Sequence, residues 1–264
     1  MINNQYYEMI LRFTLFSDFF MYPVFSRSKP AITLLARILT GKPDLVVKRW
    51  GMEVKKGMPF FRHVRYDLFV EDMEGNLYNF EIENGRRALG QRALFNLSVL
   101  VSHMVKPNEP FRALNESWVV FLTRKDFMRR NEPFYTYEWF DRKWKRILHT
   151  KAHIRFVNGE YRGDDAIGKL MHDFHCTNPD DMFYDELREA VSYLKKEPEG
   201  VNTMCEIMRE FERKSRNEGR AQEREAIMRK LYAKGMDCPT IAEVTGQTIA
   251  KVETFFQKQA LNKG

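Results

Sequence analysis

The sequence predicts an α/β domain whose elements follow the order αβββαβ, with a helical region after it. The composition is that of a globular chain, because 44% of the 264 residues are hydrophobic and 30% are charged. Short runs rich in β-branched and aromatic residues lie between segments with helical spacing of apolar residues. No run approaches the ~18 apolar residues that span a membrane, and the three cysteines are too widely spaced for a disulfide framework or a zinc motif. We therefore expect a soluble, cytoplasmic protein without a signal peptide or a membrane anchor.

Each element has its own local signal. The second helix begins near Pro30, which suits a first turn, and ends before Gly41. The helix after the strands is indicated by Ala93, Leu97 and Leu100, which recur at helical spacing. The strands are runs of Val, Ile, Phe and Tyr. The predicted elements are helices at residues 6–20 and 30–40, strands at 44–54, 60–71 and 77–83, a helix at 86–104 and a strand at 118–123.

The second and third strands form a hairpin whose register follows from its turn. Residues 73–75 form a three-residue loop, and Gly75 can adopt the left-handed conformation that such a loop needs at its last position. This register places Asp67 opposite Glu81, with their Cβ atoms about 5 Å apart. Two carboxylates in this position repel each other unless a divalent cation lies between them. Glu83 points from the same face of the strand as Glu81.

The pattern alone leaves two interpretations of these carboxylates open. Asp67, Glu81 and Glu83 offer oxygen ligands of the kind that Mg²⁺ prefers. The same register also places Glu83 opposite Arg65, so an ordinary ion pair between strands would explain it too. A slip of one residue would separate the carboxylates altogether. The register therefore indicates a metal site without deciding for it.

Further motifs follow in a fixed order along nearly the whole chain. They are SDFF at 17–20, RYDLFV at 65–70, GNLYNFEIE at 75–83, QRA at 91–93, WVVFL at 118–122, EPFY at 132–135, EGR at 218–220, KG at 234–235 and IA at 241–242. In combination they resemble the PD-(D/E)XK nuclease superfamily, in particular the bacterial recombination-promoting nucleases, a transposase-like family. The resemblance implies a restriction-endonuclease-like core of order αβββαβ, which is the order that the residues predict independently.

The resemblance also implies an activity and roles for individual residues. The family is expected to hydrolyse DNA as a Mg²⁺-dependent (or Mn²⁺-dependent) endonuclease, in recombination or transposition. Asp67 and Glu81 match its acidic metal ligands, and the backbone carbonyl of Ile82 matches a further ligand. Asp18 matches a supporting acidic position in the first helix, and Arg92 matches a basic helix position that faces the site. Carboxylate-bound Mg²⁺ suits this reaction because it neutralises charge on the phosphate and lowers the pKa of a bound water.

The third motif position departs from the family pattern. Most PD-(D/E)XK enzymes have Lys there and this family commonly has Gln, whereas this chain has Glu83. A carboxylate can bind a second metal ion or accept a proton from water, but it cannot supply the positive charge of Lys. The expected catalytic residues are thus Asp67, Glu81 and Glu83. The alternative is a catalytically degenerate nuclease that acts as a DNA-binding or regulatory module, and a third candidate is a structural interaction protein.

The net charge of +7 favours a polyanionic partner such as DNA, and most of the excess is local. Residues 124–155 contain ten Lys and Arg against four Asp and Glu. At the centre of this segment, aromatic residues alternate with Arg142, Lys143, Lys145 and Arg146, as in a surface that contacts phosphates and stacks on bases. We expect these four cations to bind DNA. A half-buried strand at 135–139 with a solvated basic turn after it explains the pattern equally well.

Composition divides the chain into a nuclease-like domain at residues 1–160 and a helical C-terminal region at 161–264. In the second part, a highly charged helix is predicted at 204–234, because eleven of the eighteen residues from 209 to 226 are charged. A helix-turn-helix or a simple packing hairpin follows at 235–260. The packing interpretation leaves a homodimer open.

Overall fold

A six-stranded mixed sheet lies at the centre of the structure, a computed structural model that describes residues 4–56, 63–85, 87–105 and 108–261. The strand order is β1-β2-β3-β4-β8-β5, and β6 and β7 form a separate two-stranded hairpin. β1, β2 and β3 are antiparallel, β3, β4 and β8 are parallel, and β5 is antiparallel to β8. The strands are β1 Val47–Lys56, β2 Val64–Asp72, β3 Leu77–Glu83, β4 Ser117–Thr123, β5 Phe134–Tyr137, β6 Phe140–Asp141, β7 Arg146–Ile147 and β8 Ala152–Asn158.

Helices precede the sheet, connect β3 to β4 and follow the sheet. α4 forms the crossover between the parallel strands β3 and β4. The described helices are α1 Asn4–Arg12, α2 Asp18–Arg27, α3 Lys29–Thr40, α4 Leu89–Ser102, α5 Ala166–His175, α6 Asp185–Lys196, α7 Pro198–Ala233, α8 Cys238–Thr245 and α9 Ile249–Leu261. The predicted order αβββαβ is therefore present as α3-β1-β2-β3-α4-β4.

The sheet carries helices on both faces. Successive residues of a strand point to opposite sides, so each strand contributes side chains to both helix layers. On one face, Leu68 and Phe80 lie beside Phe25 of α2 and other apolar residues of α2, α3 and α5. On the opposite face, Phe69 and residues of β4 and β8 pack with Leu97 and other apolar residues of α4. A polar residue on the α4 face is therefore flanked by the sheet and by one helix. Glu81 and Glu83 point to this face, where they meet Arg92 of α4. Asp67 lies where the alternation of β2 breaks, between Tyr66 and Phe69, whose side chains both belong to the core on the α4 face.

The hairpin register predicted from the turn is confirmed. β2 and β3 pair Leu68 with Phe80, and the three pairs between this one and the turn keep the same register. Gly75 has φ +81°, the left-handed conformation that the loop needs. The carboxylate of Asp72 further fixes the turn, since it accepts hydrogen bonds from the backbone of Asn76 at 2.8 Å and from the hydroxyl of Tyr78 at 2.7 Å.

The first helix is a correction to the sequence interpretation. Residues 6–20 form the ends of two helices, α1 and α2, and not one continuous helix. The chain turns between them, where the backbone N–H of Thr14 donates to the hydroxyl of Ser17 at 3.3 Å. The carbonyl of Ser17 then accepts the first bond of α2, from Phe20 at 2.8 Å. Ser is a common residue in this role because it competes with continuous helical bonding.

β5 and β8 extend the sheet beyond the predicted elements. β5 occupies residues 134–137, within the segment where a half-buried strand was one of the two interpretations. β8 pairs in parallel with β4, and the sequence interpretation assigned no strand there. It is built from Ile154, Phe156 and Val157, which alternate imperfectly with polar residues and therefore give a weak strand signal.

The chain divides into two compact units, Met1–Met204 and Cys205–Gly264. The expected boundary at residue 160 lies inside the first unit, because α6 packs against α2 and α3, and α5 packs against α3. In the second unit, Met228 near the end of α7 packs with Ile241 of α8 and Val252 of α9. Gly246 has φ +63° and ends α8 in a left-handed cap. Within the ranges given above, no helix combines the length and apolar character needed to cross a membrane.

Candidate metal centre

The ladder between β2 and β3 opens where the two predicted carboxylates face each other. Its last backbone pair is Leu68 with Phe80, and the next positions in the same register are Asp67 and Glu81. There the N–H of Ile82 donates to Oδ2 of Asp67 at 3.1 Å, and the N–H of Asp67 donates to Oε1 of Glu81 at 3.4 Å. Side-chain carboxylates have thus replaced backbone carbonyls as acceptors.

The carbonyl of Ile82 points into the same opening. The backbone carbonyl of Glu83 accepts from the N–H of Arg124 at 2.9 Å, so Glu83 bonds to β4. Because neighbouring residues of a strand bond to opposite sides, the backbone of Ile82 faces β2. Its N–H is used by Asp67, and its carbonyl lies on the side where the ladder has opened.

Burial and a neighbouring carboxylate disfavour the ionised form of Glu81 in the absence of a cation. The residue is only 3% exposed. Burial, followed by the charge of Asp67, raises the pKa of the Glu81 carboxyl to about 8. The buried side-chain amide of Asn79 lies close enough to lower this pKa, but both of its polar atoms lack a hydrogen-bond partner in the described structure. A cation in this position would offset both the burial and the repulsion.

Arg92 of α4 faces the carboxylates, as the resemblance implied. Its guanidinium is ion-paired with Glu83 and lies 3.8 Å from Oε2 of Glu81. It also lies 5.4 Å from the centre of the Phe121 ring, which holds its plane against the sheet. Arg92 thus provides a positive charge beside the acidic group while remaining 45% exposed.

The ion pair between Glu83 and Arg65, the alternative that the sequence left open, is not among the ion pairs of the described residues. Arg65 does not pair with Glu83 but with Glu53 of β1, at 3.1 Å. The backbone of Glu53 has φ +51°, a left-handed conformation that interrupts β1 opposite Asp67. The ladders on both sides of Asp67 are thus interrupted. Arg65 pairs with a residue of β1, and Glu83 pairs with Arg92 of α4.

An open cleft of about 510 Å³ gives access to Glu81. It lies between the β2 end of the sheet and the first turns of α4, so a ligand in it would meet the carboxylate and the guanidinium together. The lining residues are His63, Val64, Arg65, Glu81, Ala88, Gln91, Arg92, Phe95 and Asn96.

The donor set fits a hard divalent cation. Two carboxylates and a backbone carbonyl are the oxygen ligands that Mg²⁺ and Mn²⁺ accept, with water in the remaining positions. Glu83 is ion-paired with Arg92. The ligand oxygens of Asp67, Glu81 and Glu83 do not all lie within 4.8 Å of one another. The structure therefore brings Asp67, Glu81 and Ile82 together and places Glu83 beside them. The side chain of Asp18 lies outside the described residues.

A second cluster of ligand types is structural. His172, Asp173 and Cys176 have ligand atoms within 4.8 Å of one another. Both oxygens of the buried Asp173 accept backbone N–H groups, from Phe183 at 2.8 Å and Tyr184 at 2.9 Å. Burial and the charge of Asp173 raise the pKa of the Cys176 thiol to about 11, so the metal-binding thiolate is disfavoured. This cluster connects α5 to the chain before α6.

The four cations predicted to bind DNA lie on an exposed hairpin. Residues 138–148, which we call the aromatic hairpin, contain β6 and β7 and are exposed throughout. Trp144 is 70% exposed, and the amine of Lys143 lies 5.2 Å from the centre of its ring. The amine of Lys145 lies 5.8 Å from the ring of Phe140. Arg142, Lys143, Lys145 and Arg146 are thus presented to solvent among aromatic rings.

The aromatic hairpin and the candidate metal centre lie at opposite ends of the parallel strands of the sheet. The hairpin leads into β8 at Ala152, which pairs with Ser117, and Ser117 pairs with Leu77 at the start of β3. Glu81 and Glu83 lie at the far end of β3, and a strand of seven residues extends roughly 20 Å. The sequence therefore predicted a basic surface and an acidic site, but it did not show that the length of the strands separates the two.

The sequence interpretation missed a basic loop beside the end of β3 where Glu83 lies. The connection from β4 to β5 carries Arg124, Lys125, Arg129 and Arg130, all exposed. These residues contribute to the local positive charge of the segment, but the aromatic pattern drew attention to the hairpin. The topology of β3 and β4, two parallel strands that end side by side, is what places this loop next to Glu83.

Comparison of the chain with protein-family models, with curated proteins and with solved structures found no match.

Proposed function

We propose that the first unit has a restriction-endonuclease-like core and acts as a Mg²⁺-dependent DNA endonuclease. The observation that carries this proposal is the opened ladder at Asp67 and Glu81. Sheets do not ordinarily place two acidic residues opposite each other with one of them buried, because the arrangement destabilises the sheet. A divalent cation turns the same arrangement into a ligand set.

Each residue has a role that its contacts suggest. Asp67, Glu81 and the carbonyl of Ile82 would hold the metal ion, which supplies charge neutralisation and a water of lowered pKa. The guanidinium of Arg92, exposed to the cleft, would bind the phosphate that is cleaved. Glu83 holds Arg92 in place through their ion pair. Its carboxylate is also of the type that would accept a proton from the attacking water.

A degenerate nuclease that only binds DNA is the second candidate, and the Arg92–Glu83 pair favours it. In most related enzymes a Lys at the position of Glu83 would leave a positive charge free for the reaction. Here one cation and one anion neutralise each other. The aromatic hairpin and the basic connection from β4 to β5 would still bind DNA in such a protein, since phosphate binding does not need the metal.

Nicking of supercoiled DNA in Mg²⁺ or Mn²⁺ tests the proposal. We compare the wild type with Asp67→Asn, and with Asp44→Asn as a control, since Asp44 is exposed and distant in the fold. DNA binding is measured in parallel by fluorescence anisotropy in EDTA. We expect nicking by the wild type and the control, and its loss in Asp67→Asn with DNA affinity within about threefold of the wild type.

The other outcomes assign the protein to one of the alternatives. A wild type that binds DNA but cuts it with neither metal is the DNA-binding module. A wild type that does not bind DNA even at low salt is the structural interaction protein. Nicking that survives in Asp67→Asn contradicts the metal site proposed above, whatever the activity.

A further inference from the structure

The loop between β4 and β5 presents four exposed cations with no ion-pair partner in the described structure. They are Arg124, Lys125, Arg129 and Arg130, and we call residues 124–131 the basic loop. None of them takes part in the ion pairs that the described residues form. Exposed cations gathered on one surface repel one another, and an anionic ligand relieves this repulsion.

The basic loop has a fixed shape, which distinguishes it from a flexible charged segment. Asp126 is 7% exposed and sits inside the loop. Its carboxylate accepts from the N–H of Met128 at 3.0 Å, from the N–H of Asn131 at 2.8 Å and from the hydroxyl of Tyr135 at 2.9 Å. Arg129 and Asn131 are held at φ +56° and +58°, which the bonds to Asp126 make tolerable. The cations therefore point outward from a preorganised backbone.

An open cleft lies between the basic loop and the two residues that follow Glu83. Lys125 and Arg129 line it together with Asn84, Gly85 and Glu160, and its volume is about 660 Å³. The N–H of Gly85 donates to Oε1 of Glu83 at 2.7 Å, so the cleft begins next to Glu83. Glu160, the acidic group of the cleft, accepts from the backbone N–H of Asp126 at 3.0 Å.

We propose that the basic loop binds the phosphodiester backbone of DNA beside the carboxylate site. This inference rests on the proposed function and deepens it, because it names the surface along which the substrate strand leaves the site. Phe127, the aromatic residue of the loop, is stacked on Phe156 at 4.6 Å, so the loop offers no ring to stack on bases. The proposed contact is therefore with phosphates, in contrast to the aromatic hairpin at the opposite end of the strands.

Salt dependence of DNA binding tests this surface without any cleavage. We neutralise two cations in Lys125→Gln/Arg129→Gln and compare it with Arg27→Gln/Lys29→Gln, which removes two exposed cations of α2 and α3. The affinity for a fluorescent DNA duplex is measured in EDTA between 50 and 200 mM KCl. Each phosphate contact contributes about 0.9 to the slope of log affinity against log salt. Over this fourfold range the wild type and the control should lose about 12-fold more affinity than the Lys125/Arg129 variant.

Two further measurements make the result specific. The charge-preserving variant Lys125→Arg/Arg129→Lys should keep the wild-type slope, which separates lost charge from a disturbed loop. Inorganic phosphate at millimolar concentration should not displace the duplex beyond its effect on ionic strength. A slope equal to that of the control, or displacement by free phosphate at low millimolar concentration, overturns the proposal.

The outcome is distinguishable from that of the proposed function. If the slope falls as expected but no nicking occurs with either metal, the basic loop binds DNA in a protein that is not a nuclease. If nicking occurs and the slope is unchanged, the nuclease stands and the basic loop is not its DNA surface.

Discussion

Replacing Arg92 with Gln should tighten the binding of Mg²⁺ or Mn²⁺ to the candidate centre. Arg92 lies 3.8 Å from Glu81 and is ion-paired with Glu83. Its positive charge therefore occupies the same negative potential that would attract the metal ion. Removing the charge frees both carboxylates and removes the repulsion between guanidinium and cation.

The magnitude follows from the distance and the exposure. At an effective dielectric constant of about 20, the guanidinium and an ionised Glu81, separated by 3.8 Å, interact by about 4 kcal/mol. Because the pKa of Glu81 is about 8, this full interaction is present only at alkaline pH, where the titration is carried out. The Arg92 side chain is 45% exposed, and screening by solvent reduces the effect to about 1–2 kcal/mol. Arg92→Gln should therefore bind the metal roughly 5- to 30-fold more tightly.

Isothermal titration calorimetry of metal-stripped protein at low salt measures this change. Arg92→Lys keeps the charge and should retain the wild-type affinity to within a few-fold. Arg87→Gln removes an exposed cation nearby that belongs to no ion pair in the described structure, and it serves as the matched control. In the proposed nuclease, Arg92→Gln should also cut DNA more slowly at saturating metal, because the phosphate loses its cation. An unchanged or weaker metal affinity in Arg92→Gln would refute the electrostatic account of the site.

Three other predictions test the surfaces and the hairpin. Changing the four cations of the aromatic hairpin to Gln should lower the salt slope of DNA binding by up to about 3.6 in anisotropy titrations, and an unchanged slope would assign the hairpin to structure alone. Gly75→Ala should lower the free energy of unfolding in urea by about 1–2 kcal/mol, because φ is +81° and the new Cβ would lie 2.7 Å from Nδ2 of Asn115; Gly90→Ala, with open space around it, should not. Burial would raise the pKa of Glu71, but two hydrogen-bonded cations of β1 lower this pKa below its ordinary value. The stability that the ionised carboxylate contributes above about pH 4.5 should therefore be lost as the pH falls. Thermal melts at falling pH should show less of this loss in Glu71→Gln than in the wild type.

The local rules predicted the hairpin well because its determinants lie close together in the chain. Gly75 selects the loop, the loop selects the register, and the register places Asp67 opposite Glu81. Helical spacing predicted α4 in the same way, whereas the position of Arg92 facing the site was implied by the family resemblance. By contrast, the break between α1 and α2 was missed, because apolar residues continue through it and a single hydroxyl, that of Ser17, decides the turn.

What the sequence by itself determined was therefore the order of the core elements from α3 to β4, the register of β2 with β3 and the identity of the charged groups. Only the tertiary structure decided which charges meet. Glu83 has Arg65 and Arg92 within reach of its strand, and the choice of Arg92 depends on a distortion of β1 and on how α4 packs against the sheet. The separation of the aromatic hairpin from the carboxylates, and the approach of the basic loop to them, depend on the parallel pairing of β3, β4 and β8. Contacts between residues distant in the chain arise from packing of whole elements, and local pattern does not encode it.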